Sequence, residues 1–325
     1  MLSPTISEAG EFGLIRRVTA RLGGVAGSWT DRAQGPAVLL GPGDDAAVVA
    51  APDGRVVATT DVLVEGRHFR RDWSAAADVG HRAAAANLAD VAAMGGVPTA
   101  LLVGFCAPPE LDVAWVEELA DGLAEEAASA GAAVVGGDMS SGPVVMISIT
   151  ALGDLRGGAP VRRDGARPGD VVALAGRLGY AAAGYTVLSR GFRSPRLLVE
   201  AHRRPEVPYA AGPRAADLGA TSMIDVSDGL LADLGHVAAA SRVSIDVRTS
   251  TFVVPPQMRD AAGALGVDPY AWILTGGDDH ALAATFPAGT ELPEDWSVIG
   301  AVREGSGVTV NGSAHEGAAG WDHFA

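Results

Sequence analysis

Aspartate recurs in this sequence beside glycine or at the end of an apolar run, where its carboxylate could bind a cation. Asp44 and Asp45 follow Gly-Pro-Gly in GPGDDAAVV, and Asp278 and Asp279 follow two glycines in LTGGDDHAL. Aspartates stand in comparable places in four further motifs: TTDVLVEGRHF (Asp61), NLADVAAMGG (Asp90), VVGGDMSSGP (Asp138) and IDVSDGLLADLGH (Asp225 and Asp228). Because charged side chains are seldom buried unless they are paired or hold a metal, this repetition needs an explanation.

Each motif has an ordinary structural interpretation when it is taken alone. Asp138 and Asp278 could be turn residues. Asp228 or Ser227 could cap a helix, and Asp90 could face solvent. Taken together, the motifs favour magnesium, which combines one or two carboxylates with waters and substrate phosphate oxygens. The sequence therefore predicts a Mg²⁺ site that would also hold a polyphosphate.

The charge of the chain limits how it could bind phosphate. The formal net charge is −15, and all 24 basic residues are arginine, because the sequence contains no lysine. A P-loop, the active-site lysine of protein kinases and a lysine Schiff base are therefore excluded. A nucleic-acid binder is disfavoured because it needs a basic surface. Arginine, backbone N–H groups or metal ions must bind any phosphate.

The composition is that of a globular protein of 325 residues, 48% of them hydrophobic. The single cysteine, Cys106, excludes a disulfide within the chain and a CxxC motif. No apolar run reaches the roughly 18 to 20 residues of a membrane span. The start, MLSPTISEAGEF, lacks the basic and apolar regions of a secretion signal. We expect a soluble cytoplasmic protein without membrane association.

Strand and helix patterns alternate along the chain and predict two layered α/β domains, over 1–155 and 156–325. The boundary is expected in the Gly-, Pro- and Arg-rich segment LRGGAPVRRDGARPGD. Asp61 is predicted inside a strand, and Gly136, Gly137 and Asp138 are predicted to form a turn after a strand. The segment 205–216 is predicted to be a loop.

Nine motifs together carry a resemblance to a known family: GEFGLI, GPGDDAAVV, TTDVLVEGRHF, NLADVAAMGG, GGDMSSGP, RDGARPGD, DVSDGL, GGDDHAL and the terminal WDHFA. In order and spacing the chain resembles the thiamine-monophosphate kinase family, whose superfamily includes aminoimidazole ribonucleotide synthetase. The resemblance extends from about residue 10 to the last residue.

The resemblance implies a fold and a reaction. The N-terminal α/β domain would pair strands with its copy in a homodimer, the C-terminal domain would be an α/β sandwich, and the active site would lie in the cleft between them. The reaction would transfer the γ-phosphoryl group of ATP to thiamine monophosphate. The transfer would be direct and in line, would use several Mg²⁺ ions and would give thiamine diphosphate.

The resemblance also implies roles for individual residues. Metal ligands are implied at Asp44, Thr59, Thr60, Asp61, Asp90, Asp138, Asp225 and Asp228, with catalytic roles for Asp44, Asp138 and Asp228. Nucleotide contacts are implied at Gly137, Asp138, Arg163 and Ser227, and contacts to thiamine monophosphate at His68, Asp278 and Trp321. An arginine binds phosphate bidentately, and a tryptophan face suits a cationic thiazolium. Taken alone, Arg163 could be a solvated loop charge and His68 a loop histidine without a role.

Three positions depart from the family pattern. Ala89 replaces a serine, and the usual Gly-Gly-Glu-Asp-Tyr reads Gly-Gly-Asp-Asp-His, with Asp278 and His280 at the changed positions. Asp278 is one methylene shorter than glutamate, which reduces its reach toward a substrate. Two alternatives stay open: another ATP-using member of the superfamily, or a non-catalytic acidic metal-binding protein.

Overall fold

The computed structural model describes residues 4–22, 38–41 and 46–321, and the chain divides into two compact units. The first unit comprises Met1–Val91 and Gly96–Gly157, and the second comprises Ala92–Gly95 and Gly158–Ala325. In the described part of the chain, no helix is long and apolar enough to cross a membrane.

The first unit contains four helices and six strands among its described residues. In chain order they are α1 (Ile6–Ala9), α2 (Glu11–Arg21), β1 (Val38–Leu40), β2 (Val48–Val49), β3 (Val57–Val64), α3 (Ala76–Ala93), β4 (Val97–Ala107), α4 (Val113–Ser129), β5 (Ala133–Ser141) and β6 (Met146–Asp154).

Helix α3 forms because alanine, the residue with the highest helix propensity, fills most of its length. The side chain of Asp78 accepts the N–H of Ala75 at 3.1 Å and so satisfies a donor at the start of the helix. Gly95 follows the helix with a φ of +77°, a left-handed conformation that glycine adopts without strain. The helix is largely buried, so its few polar side chains occupy fixed positions.

Strands β3, β6, β4 and β5 form a four-stranded sheet in that order among the described residues. The β4–β5 pair is parallel, and β6 pairs antiparallel with both β3 and β4. One face of the sheet is buried, with Ile147, Ile149 and Ala151 fully inaccessible. The other face, which we call the outer face, exposes apolar side chains, among them Val62, Leu102 and Met146.

The second unit contains six helices and seven strands among its described residues, besides the last turn of α3. They are β7 (Val171–Ala175), α5 (Tyr180–Ser189), α6 (Arg196–Arg203), α7 (Ala211–Asp217), β8 (Ser222–Val226), α8 (Leu230–Ser241), β9 (Ser244–Val247), α9 (Pro256–Leu265), α10 (Pro269–Thr275), β10 (Ala281–Phe286), β11 (Trp296–Arg303), β12 (Gly307–Val310) and β13 (Ser313–Ala314). Its described strands form one sheet in the order β13-β12-β9-β11-β7-β10-β8.

The core of the second unit lies against the middle of this sheet. Every residue of β8 and of β10 is buried, as expected for short apolar strands covered on both faces. Phe286 packs edge-to-face on Trp296 with ring centroids 5.3 Å apart. Ala92 and Ala93, at the end of α3, belong to the same core.

The predicted α/β class is confirmed, and the strand that contains Asp61 is present as β3. Two local predictions are wrong. Strand β5 continues through Gly136, Gly137 and Asp138 to Ser141, because these residues keep their pairing with β4. The predicted loop at 205–216 contains most of helix α7, which is held by burial of its small side chains.

Candidate active site

In the first unit, β3 and α3 bring three of the predicted metal ligands together. Thr59 and Asp61 are two residues apart in β3 and therefore lie on the same face of the strand. Thr59 Oγ1 donates to Asp90 Oδ2 at 2.6 Å. The Oδ1 atom of Asn87 accepts the N–H of Asp61 at 2.9 Å. Asn87 and Asp90 are three residues apart on α3 and therefore share a helix face. The result is a compact group of carboxylate, hydroxyl and amide oxygens, with Asn87 fully buried beneath it.

Thr60 and Asp138 lie apart from this group. Thr60 is on the opposite face of β3, where its Oγ1 donates to the carbonyl oxygen of Ile149 at 2.9 Å. Asp138 is exposed on β5, which is separated from β3 by two strands. Three strand spacings amount to about 14 Å. Among the described residues of the first unit, the predicted ligands therefore form one group on β3 and α3, with Thr60 on the opposite face of β3 and Asp138 separately on β5.

The sheet surface around Asp138 is unusually bare because glycine dominates it. Gly136, Gly137 and Asp138 pair with Leu102, Val103 and Gly104 of β4. A cavity of about 1210 Å³ extends over this part of the first unit and is lined by residues of α2, β4, α4, β5 and β6, including Gly136, Gly137 and Asp138. Its size is ample for a nucleotide, since ligand pockets commonly measure about 300 to 1,000 Å³.

In the second unit, the junction between β8 and α8 carries a cluster of three carboxylates. Asp225 is buried near the end of β8, and Asp228 follows in the turn. Asp233, in the first turn of α8, accepts the N–H groups of Asp228 at 3.1 Å and Gly229 at 3.0 Å. Burial, with the charges of Asp225 and Asp228, raises the pKa of Asp233 to about 7. A cation at this junction would relieve the repulsion.

Two further segments are attached to the same junction through main-chain hydrogen bonds. The N–H of Asp278 donates to the carbonyl oxygen of Ser227 at 2.8 Å, and the N–H of Trp321 donates to that of Asp228 at 2.9 Å. The indole side chain of Trp321 is exposed, whereas Asp278 is partly buried. The structure therefore brings together five of the predicted site residues of this unit: Asp225, Ser227, Asp228, Asp278 and Trp321.

Two residues of the Gly-Gly-Asp-Asp-His motif were not predicted to take part. His280 is buried, and its Nδ1 lies 3.1 Å from Oδ2 of Asp225. Asp279 is also buried, and it accepts N–H groups at the start of α5. The adjacent aspartates, together with the histidine that replaces the usual tyrosine, were the available sequence signal. The sequence signal for Asp233 was weaker: it is a further aspartate five residues after Asp228.

The remaining predicted residues have separate positions. His68 follows β3 in the first unit, and its Nδ1 accepts the N–H of Val64 at 3.0 Å, so Nε2 carries the proton of the neutral ring. Arg163 is exposed in the second unit, in the 3₁₀ turn Arg163–Gly165, and its carbonyl oxygen accepts a hydrogen bond from Ser241 Oγ at 2.8 Å. Asp44 lies outside the described residues.

The donor atoms present fit magnesium, and they do not fit a metal whose ligands all come from protein side chains. Among residues 4–22, 38–41 and 46–321, no three His, Cys, Asp or Glu side chains are arranged to hold a metal ion. Magnesium retains waters and binds substrate phosphates, so it needs only one or two carboxylates from the protein. The Asp90 group and the Asp225–Asp228–Asp233 cluster each offer oxygen donors of this kind.

Comparison with known proteins identifies the family. The family model "AIR synthase related protein, N-terminal domain" matches residues 43–155. A thiamine-monophosphate kinase of Mycobacterium tuberculosis is 48% identical over 324 residues, which cover 99% of this chain and 94% of that protein. The chain belongs to the thiamine-monophosphate kinase family. Its activity is the ATP-dependent phosphorylation of thiamine monophosphate, with ATP as co-substrate.

Solved structures of the family share the fold. The crystal structure of thiamine-monophosphate kinase from Stenotrophomonas maltophilia aligns with a TM-score of 0.80 at 33% identity and covers 94% of this chain and 98% of its own. The structure of AaThiL complexed with AMPPCP and TMP aligns with a TM-score of 0.79 at 32% identity and covers 100% of both chains. The resemblance recognised in the motifs is thus confirmed, and the reading as a non-catalytic metal-binding protein is excluded.

Proposed function

We propose that this family member transfers the γ-phosphoryl group of ATP directly and in line to thiamine monophosphate, with Mg²⁺ held by its aspartates. The carboxylate cluster at the β8–α8 junction carries the proposal, because Asp225 lies near the end of β8, Asp228 follows in the turn, and Asp233 accepts the N–H of Asp228. In the first unit, Thr59, Asp61 and Asp90 would hold Mg²⁺ in the same way, through their side-chain oxygens. Magnesium would neutralise phosphate oxygens and so allow two polyanions to react.

The nucleotide side of the proposal assigns the glycine-rich part of β5 to the phosphates of ATP. Gly137 leaves the strand surface open, and Asp138 would hold Mg²⁺ at the edge of the cavity described above. Arg163 would bind phosphate oxygens through its guanidinium group, and Ser227 would donate its hydroxyl. Since the chain has no lysine, arginine supplies the fixed positive charge, and backbone N–H groups add neutral hydrogen-bond donors.

The acceptor side assigns Asp278, Trp321 and His68 to thiamine monophosphate. The main-chain N–H groups of Asp278 and Trp321 donate to two adjacent junction residues, to Ser227 and Asp228 respectively, and the indole of Trp321 is exposed. A carboxylate and an aromatic face are the groups expected to hold a cationic thiazolium ring. His68 would donate to an anionic ligand through Nε2–H, since its Nδ1 accepts the N–H of Val64.

The chemistry requires little from the protein beyond positioning. An oxygen of the thiamine monophosphate phosphate bonds to the γ-phosphorus, the bond from that phosphorus to the β–γ bridging oxygen breaks, and ADP leaves. No general base is needed, because the attacking oxygen is already deprotonated near neutral pH. The aspartates act by holding charge and geometry.

We further propose that the first unit forms a homodimer through its outer face and that the protein works in the cytoplasm, where its co-substrate ATP is made. Val62 and Met146, which lie outside the lining of the cavity assigned to ATP, expose apolar surface on two adjacent strands of that face. Sedimentation velocity should give a dimer for the natural chain and a monomer for Val62→Asp. A natural chain that sediments as a monomer would remove the dimer proposal.

The transfer itself is tested with ATP made chiral at a γ-thiophosphate. A single in-line transfer inverts the configuration at phosphorus, whereas a phosphoenzyme retains it. Formation of the thiamine diphosphate analogue that carries the sulfur on its terminal phosphorus, with inversion at that phosphorus, abolished by EDTA and restored by Mg²⁺, is the expected result. Retention would refute direct transfer, and equal nucleotide affinity in EDTA and in Mg²⁺ would refute the role of the aspartates.

A further inference from the structure

Asp279 is a buried carboxylate that the proposed reaction does not use. Only 3% of its surface is exposed, although its neighbour Asp278 is partly accessible. Oδ2 of Asp279 accepts the N–H of Gly179 at 2.5 Å, and Oδ1 accepts the N–H of Ala181 at 2.8 Å. These N–H groups belong to the start of α5, which has no side-chain cap from Gly179 itself. Asp279 therefore caps α5 from a distant part of the chain.

The loop that carries Asp279 has an unusual backbone. Asp278 has a φ of +68° and His280 a φ of +52°, so both residues that flank Asp279 are left-handed. Residues other than glycine adopt this conformation at a cost, and surrounding structure must hold them there. The two bonds of Asp279 provide such a restraint between the two strained positions.

On its other side, the same loop is tied to the β8–α8 junction. The N–H groups of Asp278 and His280 donate to the carbonyl oxygens of Ser227 at 2.8 Å and Val226 at 3.0 Å. A Cβ on Gly277 would lie 2.2 Å from the Ser227 carbonyl oxygen, so the two backbones are in direct contact. The loop is thus fixed between α5 and the junction.

We propose that Asp279 is a positioning residue that sets Asp278 for thiamine monophosphate through the backbone of this loop. The inference rests on the proposed role of Asp278 as a substrate contact. It assigns the two aspartates of one motif to different tasks, one toward the ligand and one toward the helix. It also extends the acceptor site to the start of α5, which no sequence motif had indicated.

The test compares Asp279→Asn with a matched control, Asp246→Asn. Asp246 is also buried, and its Oδ1 accepts the hydroxyl of Thr309 at 2.8 Å and the N–H of Gly312 at 2.7 Å, near the opposite edge of the same sheet. Asparagine removes the negative charge in both variants. At Asp279 it replaces one of two acceptor oxygens that each hold a bond, so one hydrogen bond is lost, whereas at Asp246 a single oxygen accepts both bonds and the amide oxygen can keep them. Steady-state kinetics at pH 8 and saturating Mg²⁺ would give KM for each substrate.

For Asp279→Asn we expect KM for thiamine monophosphate to rise about tenfold, the effect of one lost hydrogen bond. KM for ATP should change less than about twofold. Asp246→Asn should leave both constants unchanged, since its partners lie far from the loop. If Asp279→Asn does not fold, Asp279→Ser, which also retains one acceptor, should give the same pattern.

Three results separate the possible failures. An unchanged KM for thiamine monophosphate in both Asp279 variants, with a raised one in Asp278→Ala, would overturn the positioning role alone. An unchanged KM in Asp278→Ala would overturn the proposed role of Asp278 and this inference with it. Equal increases in Asp279→Asn and Asp246→Asn would reduce Asp279 to a general contributor to stability.

Discussion

Gly136 and Gly137 are neighbours in β5, yet a methyl group at each would meet different surroundings. A Cβ on Gly137 would lie 2.1 Å from the carbonyl oxygen of Val103 in β4, and one on Gly136 would lie 3.3 Å from Cδ2 of Leu102. Real Cβ atoms essentially never come within 3.0 Å of a neighbour, so Gly137→Ala must displace backbone by about 0.9 Å. Gly136→Ala requires only a small movement of a side-chain end.

The displacement can be converted into a free energy. Moving β5 away from β4 by about 0.9 Å stretches the flanking N–H···O contacts from about 2.9 Å to beyond the range of a hydrogen bond. Two bonds lost at about 1 kcal/mol each give about 2 kcal/mol. That free energy corresponds to an approximately 30-fold increase in local opening of the β4–β5 pair.

Native-state hydrogen exchange measures this opening directly. Peptides from β4 and β5 should exchange about 30-fold faster in Gly137→Ala and less than about threefold faster in Gly136→Ala. Peptides from the sheet of the second unit serve as the internal control and should be unchanged. Equal exchange rates in the two variants would refute the contact between Gly137 and the Val103 carbonyl oxygen.

Three further outcomes are expected. Asp138→Asn and Asp228→Asn should each lower kcat by a factor on the order of 100 at saturating Mg²⁺ without unfolding the chain. A kcat equal to that of the natural chain would show that these carboxylates have only a structural role. Trp321→Ala should raise KM for thiamine monophosphate about tenfold and KM for ATP much less, and the reverse pattern would assign the indole to the nucleotide. Burial raises the pKa of Asp279 to about 7 from 3.8, so the folded state retains a proton that the unfolded chain releases. The free energy of unfolding should therefore fall by about 2 kcal/mol between pH 5.5 and 7. Urea titrations measure this free energy at each pH, and an equally steep fall in Asp279→Asn would contradict the assignment to Asp279.

The strongly patterned elements were predictable from the sequence because local chemistry determines them. The alanine run ending at two glycines gives α3, and β-branched residues around Asp61 give β3. Helix α7 was missed because AGPRAAD contains Gly and Pro, and only tertiary contact stabilises it: a Cβ on Gly212 would lie 2.0 Å from the carbonyl oxygen of Ala92.

Helices α9 and α10 were missed although the sequence carried their start signals. Both begin with proline, at Pro256 and Pro269, a residue favoured in the first turn. Asp268 caps α10 by accepting the N–H of Tyr270 at 2.9 Å. These helices are short and lie in a segment rich in Pro and Gly, which favours a loop when it is considered without its tertiary contacts.

The candidate site was predictable as a set of motifs but not as a geometry. The sequence places Asp278 and Asp279 side by side and cannot tell which one turns inward. That choice depends on left-handed backbone at Asp278 and His280, which tertiary hydrogen bonds impose. In the same way, alternation along a strand puts Thr59 and Thr60 on opposite sides, but only the bond from Thr59 to Asp90 shows which side faces α3.

The alternation along β3 restricts how this strand can change in evolution. Thr59 and Asp61 point to one side, and Thr60 and Val62 point to the other. Inserting or deleting one residue upstream in the strand would exchange the two sides at once, turning the carboxylate outward and an aliphatic side chain toward Asp90. Length variation among relatives should therefore be absent from β3 itself and confined to the connections before and after it.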